Sequence, residues 1–409
     1  MSGKQGISAL IEETYRRLLA SDGTATLNDL VDLLNNQAGL FDLSATDRPS
    51  RTQGLGGTVI LRCDGSEAQG LAHVRRCLAI ARNLAEVEGL DVRFALIRDR
   101  KAAETIREQG FAVDIMPDGA EEIDWLLDLA EYHRPAAWLI DVRTALTPHA
   151  ILRLRATDTL VAVIDDISER RLVADVAFYP PLPQVFALDW SMAEREPCVG
   201  WEWVPIEAPL TSSQPRKDRT PHVVVAIGGA DPQGLSLLAV RALSGIERGL
   251  RVTIVLSANA PEGIERRIEE LQPRFGILRD PVDLAALFTR ADLAIVGFGP
   301  LAWDFAAAGI PALYACMNDD HELSAAAFAR TGMGVSMGPA AAVTEQALAN
   351  AVEDLLDDPD LLRAMSAAGH MNLDGRGAAR IAARLHHLIE ERRAALTPPA
   401  AHEARRTGT

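Results

Sequence analysis

The sequence predicts an α/β protein with two doubly wound domains in tandem, facing one another across a cleft, behind an N-terminal helical appendage. Three observations predict it. Short β-rich runs alternate with amphipathic helices from residue 57 onward. Those runs are near-continuous in apolar residues, as in parallel strands covered on both faces. The alternation also breaks at the polar stretch TSSQPRKDRT (211–220) and then begins again. A chain of 409 residues suits two or three domains, each able to bury a core.

The elements follow in order. Apolar positions Ile7, Leu10, Ile11, Tyr15, Leu18 and Leu19 recur at helical spacing, and Thr26 can cap a second helix from Leu27 to Gln37. With the linker LSATDRPSRTQGLGG they form an appendage over residues 1–56, too short for a sizeable core. The first α/β domain (57–210) begins with strand TVILR, loop CDGSEAQGLA and helix HVRRCLAIARNLAEVEG. Strands VRFALI, FAVDIM, AAWLIDV and LVAVID follow, with helices between them. The second domain (221–372) begins with strand HVVVAI, loop GGADPQG and helix LSLLAVRALSG. It continues through strands RVTIVLS, GILR, DLAIVG and PALYAC. An Arg-rich helix, ARIAARLHHLIEERR, and a polar tail complete residues 373–409.

Composition excludes several classes. Forty-one Lys+Arg against 57 Asp+Glu give a net charge of −16, which disfavours nucleic acid as a partner. The four cysteines (Cys63, Cys77, Cys198, Cys316) lack C-x-x-C spacing and read as buried thiols of a cytoplasmic protein. The N-terminus lacks an export signal's apolar core, and the richest apolar stretch is broken by Pro300, Asp304 and Pro311, so no membrane insertion is expected.

Ligands of open parallel sheets bind beyond the carboxyl ends of the strands, so the loops there carry the candidate chemistry. After TVILR come Arg62, Asp64, Ser66 and Gly70, with His73 opening a helix and Arg76 one turn further on. The first turn of a helix favours a neutral imidazole, the form a general base must have; an ordinary helix-start histidine is the alternative. Gly70 permits close backbone approach, and the free N–H groups of the first turn can meet an anion. In the second domain, Gly228 and Gly229 can wrap a diphosphate or make a structural turn, with Asp231 beside them. Gly297 and Gly299 precede a helix in which Asp304 can accept ribose hydroxyls or pair with the helix dipole. Asn318 to Glu322 can edge the cleft or cap a helix, with Asp319 or Asp320 the expected cap. Asp165 and Asp166 end a strand without ligand spacing around them, so neither metal nor another cofactor is expected. Trp201 and Trp203 read as packing residues, and His386 and His387 as surface.

Four segments occur together in order: LRCDGSEAQGLAHVRRCLAIA, IDDISERR…AD, AIGGADPQGLS and ADLAIVGFGPLAWDFAAAGIP. Over roughly residues 57–340 they resemble the UDP-2,4-diacetamido-2,4,6-trideoxy-β-L-altropyranose hydrolases of pseudaminic acid biosynthesis, relatives of the GT-B glycosyltransferases. The resemblance implies a GT-B-like fold of two Rossmann-like domains and a UDP-linked sugar as substrate. It implies a hydrolase in nonulosonic acid biosynthesis, of the kind that serves flagellin glycosylation. His73 would activate water, and Arg62 and Asp64 would position the sugar or the histidine. Gly228, Gly229, Asp231 and the Gly297–Asp304 loop would hold UDP. The sequence departs from the family where Ala72 replaces a glycine before His73. It departs again where Pro300 and Leu301 replace small hydroxyl residues and Asp304 replaces a glutamate. Glycosyl transfer from a UDP-sugar, and binding without catalysis, are the alternative readings.

Overall fold

The computed structural model describes residues 57–65, 72–97, 99–206, 220–228, 231–257, 259–279, 287 and 289–396. The helical appendage (1–56), Ser66, Gly70, Gly229, the linker 211–219 and most of the helix expected at VDLAALFTRA lie outside them.

The first sheet holds seven parallel strands: β1 (Thr58–Cys63), β2 (Asp91–Leu96), β3 (Ala112–Ile115), β4 (Ala137–Asp141), β5 (Leu160–Ile164), β6 (Val176–Tyr179) and β7 (Cys198–Val199). Their order is β3-β2-β1-β4-β5-β6-β7. Helices α1 (Ala72–Glu86), α2 (Arg100–Glu108), α3 (Glu122–His133), α4 (Pro148–Arg155) and the one-turn α5 (Arg170–Val173) and α6 (Pro183–Phe186) connect them. Every residue of β1, β4 and β5 is buried, whereas edge strand β3 is not, which is why the central strands read as unbroken apolar runs. Strands β6 and β7, four and two residues long, were not expected.

The second sheet has strands β8 (His222–Ala226), β9 (Arg251–Leu256), β10 (Gly276–Arg279), β11 (Leu293–Gly297), β12 (Ala312–Cys316) and β13 (Val335–Pro339), in the order β10-β9-β8-β11-β12-β13. Around it lie α7 (Leu235–Ser244), α8 (Ile264–Leu271), α9 (Pro300–Ala307), α10 (Asp319–Arg330), α11 (Glu345–Asp357) and α12 (Pro359–Asn372). The described residues form two doubly wound parallel-sheet domains, as expected.

The last helix, α13 (Gly377–Leu396), does not stand apart. Its Ala378, Ile381, Leu385, Leu388 and Ile389 join the apolar core between α1 and the first sheet. His386, expected at the surface, is half-buried and bonded to Glu88. The chain therefore crosses from the first domain to the second and returns. At the outward crossing, Trp203 packs on Phe178 with centroids 5.3 Å apart, and Trp201 packs on Phe328 of α10, also at 5.3 Å. At the return, Gly377 lies against the Val204 carbonyl where any Cβ would collide. Among the described residues the four cysteines are free; Cys198 is half-exposed rather than buried. No described helix is long and apolar enough to cross a membrane.

Candidate active site

In both sheets the strand order reverses direction between two central strands, β1/β4 and β8/β11, and such switch points open the crevices where ligands bind. The candidate loops lie at these two places.

At the first, register sets Cys63 of β1 beside Asp141 of β4, so Asp141 ends its strand under the first turns of α1. His73 Nδ1 lies 2.7 Å from Asp141 Oδ1. With its proton on Nδ1, the ring donates to Asp141 and leaves Nε2 as a free acceptor. Arg76, one helical turn after His73, donates from Nε and from a terminal nitrogen to the same carboxylate, and its other terminal nitrogen lies 3.5 Å from Asp165 Oδ2. Burial pushes the Asp141 carboxyl up, but Arg76 and the His73 hydrogen bond outweigh it and hold the group well below the usual carboxylate range. Arg143 completes the cluster, donating to the Asp165 carboxylate at 3.1 Å and to its carbonyl at 2.6 Å. The imidazole is thus held and oriented while 17% of its side-chain surface stays open.

Arg62 and Asp64, expected to position the sugar or the histidine, are held elsewhere than at His73. Arg62 is wholly buried, donating to Glu122 at 2.9 Å, to Asp64 at 2.7 Å and to the Cys63 carbonyl at 2.9 Å. Asp64 accepts from the Ile97 N–H at 2.9 Å. Neither bonds to His73; they form a neighbouring network that ties the ends of β1 and β2 to α3. Arg76 braces Asp141 and keeps 21% of its side-chain surface open. Asp166 turns inward to Arg170 at 2.6 Å, and Asp175 accepts from the Val161 N–H at 2.8 Å, so much of the IDD…AD segment is internal bracing. The orienting partner, Asp141, escaped sequence reasoning. Its signal was an acid closing the buried strand AWLID.

At the second switch point, the turns after β8 and β11 touch. The Ile227 carbonyl occupies the space a Cβ on Gly297 would need, so that position admits glycine alone without displacement. Gly228 adopts φ +76°, and Pro300 takes the first helical position of α9, where its missing N–H is no loss to the helix. Asp231 is corrected: it is buried, and its two oxygens accept from the N–H groups of Leu235 and Ser236 at 2.8 Å each, capping α7. Asn318 is likewise the cap of α10, accepting from the His321 N–H at 2.8 Å, in place of the expected Asp319 or Asp320.

Asp304, one turn into α9, is half-buried, and its carboxylate accepts a hydrogen bond from no described residue. Burial pushes its carboxyl up to about 7, while Arg75 on α1 of the other domain pulls the opposite way. Asp304 is thus within electrostatic reach of Arg75, on the helix that carries His73. The domains also touch where Gln184 of α6 donates to the Asp320 carbonyl at 2.7 Å and to Ser324 Oγ at 2.9 Å.

Two doubly wound parallel-sheet domains in tandem form a GT-B-like fold. Solved structures share it. The Acinetobacter baumannii MurG structure superposes with a TM-score of 0.63 at 16% identity, over 82% of this chain and 99% of that one. The spinosyn rhamnosyltransferase SpnG, complexed with thymidine diphosphate, gives 0.57 at 17% identity over 81% and 100%. A Staphylococcus aureus MnaA–UDP structure gives 0.59 at 11% identity over 82% and 97%. In sequence, 174 residues are 26% identical to the spore coat polysaccharide biosynthesis protein SpsG of Bacillus subtilis, covering 42% of this chain. That match spans about half, 51%, of the length of SpsG. No protein-family model matches the chain.

Proposed function

We propose that the chain is an enzyme that transfers a glycosyl group from a nucleoside-diphosphate sugar, with His73 as general base. The observation that carries this is the 2.7 Å pair of His73 Nδ1 and Asp141 Oδ1 at the first switch point, which frees Nε2 to take a proton. The nucleotide belongs on the other side of the gap, with the Gly228 and Gly297–Gly299 turns against its diphosphate and Asp304 toward its ribose. In the step itself, an acceptor hydroxyl attacks the anomeric carbon as its proton passes to His73 Nε2. The bond from that carbon to the phosphate oxygen breaks, and the electron pair leaves on the diphosphate. Attack opposite the leaving group inverts the anomeric centre. Nucleoside diphosphates in the SpnG and MnaA structures, and the part SpsG takes in building a polysaccharide, support this class of substrate.

A second reading keeps the donor and replaces the acceptor by water. The segment LRCDGSEAQGLAHVRR, similar to the UDP-sugar hydrolases of pseudaminic acid biosynthesis, favours it. Release of nucleoside diphosphate from a panel of UDP- and TDP-linked amino sugars, with and without sugar acceptors, separates the two. Release that requires an acceptor supports transfer; release in water alone supports hydrolysis. His73→Ala is expected to lower turnover about 10²–10⁴-fold while changing UDP affinity less than about twofold. Full turnover in that variant would remove His73 as base.

A further inference from the structure

His73, Asp141, Arg76, Asp165 and Arg143 form one connected cluster whose charges cancel without any contribution from the ring. Asp141 is 1% exposed, and both of its oxygens are taken. Oδ1 meets His73 Nδ1 at 2.7 Å and a terminal nitrogen of Arg76; Oδ2 meets Arg76 Nε and, at 3.6 Å, the Cys77 thiol. The same terminal nitrogen of Arg76 stands 3.1 Å from His73 Nδ1 itself. A guanidinium only donates, and Nδ1 already carries the proton for Asp141, so this contact is no hydrogen bond. It sets a fixed positive charge against the ring. Beyond Arg76, Asp165 and Arg143 pair with each other at 3.1 Å. Two carboxylates and two guanidiniums thus balance. An imidazolium would add an uncompensated charge in the first turn of α1, where the helix dipole also opposes it. The other charged groups around α1 look elsewhere: Arg62 toward Asp64 and Glu122, Arg75 to solvent, and His386 of α13 to Glu88 past the helix's far end.

A carboxylate beside an imidazole ordinarily draws a second proton onto the ring, because a neighbouring opposite charge favours the charged form by about one to three pH units. Here Arg76 meets that carboxylate first. We propose that Arg76 is a positioning residue that neutralises Asp141, so that Asp141 orients His73 through a hydrogen bond without charging it and Nε2 stays open to accept a proton. Its service to a general base rests on the nucleotide-sugar reading above; the charge balance does not.

NMR titration of the full chain carrying ring-labelled histidine tests this, with the His73 signal assigned by its loss in His73→Ala. The pH at which His73 is half protonated is expected to rise by about one to two units in Arg76→Gln. In Arg76→Lys, which keeps a point charge, it should stay within about half a unit of wild type. Asp141→Asn removes the anion and leaves Arg76 against the ring, so it should lower that point by about one unit or more. Turnover of Arg76→Gln should fall at neutral pH and return to within about twofold of wild type at about pH 9, a recovery that lost packing alone does not give. An unmoved half-protonation point in Arg76→Gln, or a loss of turnover that alkali does not repair, makes Arg76 a structural brace and overturns the proposal. If Arg76→Gln does not fold, Asp141→Asn decides, and an unmoved or raised point there overturns it equally. The expected shifts in a chain that turns over no nucleoside-diphosphate sugar would support the charge balance and remove the function proposed above.

Discussion

Asp141 and Asp304 face each other's problem from opposite sides. Asp141 is 1% exposed and ionised, because Arg76 and His73 both bond to it. Its carboxyl is held low, so the stability it contributes is present above about pH 4 and fades as pH falls through its folded value. The Asp304 carboxylate has no donor among the described residues, and burial raises it to about 7. In the range from about pH 4 to 7 the folded chain holds a proton there that the unfolded chain has released, so this group costs stability progressively as pH rises through that window. Asp304→Asn removes the titration. It should unfold at the same urea concentration as wild type, or close to it, at pH 4, and be more stable by about 1–2 kcal/mol at pH 8. A stability difference that does not change with pH would show that Asp304 is solvated like any surface acid. The unfavourable position is consistent with a carboxylate kept for a ligand that supplies the missing donors.

At the scale of elements, the contact between the turns after β8 and β11 makes the second crevice a single surface rather than two loops. Gly297→Ala would set a methyl group against the Ile227 carbonyl, forcing the two turns apart. The expected cost is about 1–3 kcal/mol in urea unfolding, with weaker UDP binding, since the shifted turn carries Gly299 and the start of α9. This contact also shows what the sequence could and could not disclose. Central strands such as TVILRC and LVAVI are legible because burial on both faces demands continuous apolar residues. Strands β6, β7 and β13 are short or lie at an edge, where that demand lapses. His73 was legible because its signal is local, a histidine opening a helix after a strand. Asp141 was not, because it is brought under α1 by β1 and β4 being neighbours in the sheet, which sets it beside Cys63 although 78 positions separate the two in the chain (141 − 63). Asp231 and Asn318 were ambiguous for a chemical reason: a short polar side chain before a helix suits a ligand and a cap equally well, and here both are caps.

For the whole molecule, the governing feature is the double crossing. The outward strap runs through the packed turn Trp201–Trp203, and the return runs past Asp374, which pairs with Arg380 of α13 at 2.8 Å. The second domain is thus held near both of its ends by the first. Integrity of the base cluster also depends on residues far along the chain. Leu385 is wholly buried in the core beneath α1, and Leu385→Ala should cost about 2–5 kcal/mol and lower turnover at elevated temperature, although it lies more than 300 residues from His73 in sequence. Urea unfolding followed by activity checks this; an unchanged midpoint would mean that α13 contributes no packing.

The double crossing also bears on how the molecule comes into being on the ribosome. Residues 220–372 hold every strand of the second sheet and can collapse as soon as they emerge. The first sheet emerges earlier but waits, with the apolar flank of α1 uncovered, until residues 377–396 have been made. The half of the protein that is translated first is therefore the half that finishes folding last, and in the interval its bare helix face is the surface a chaperone would have to guard.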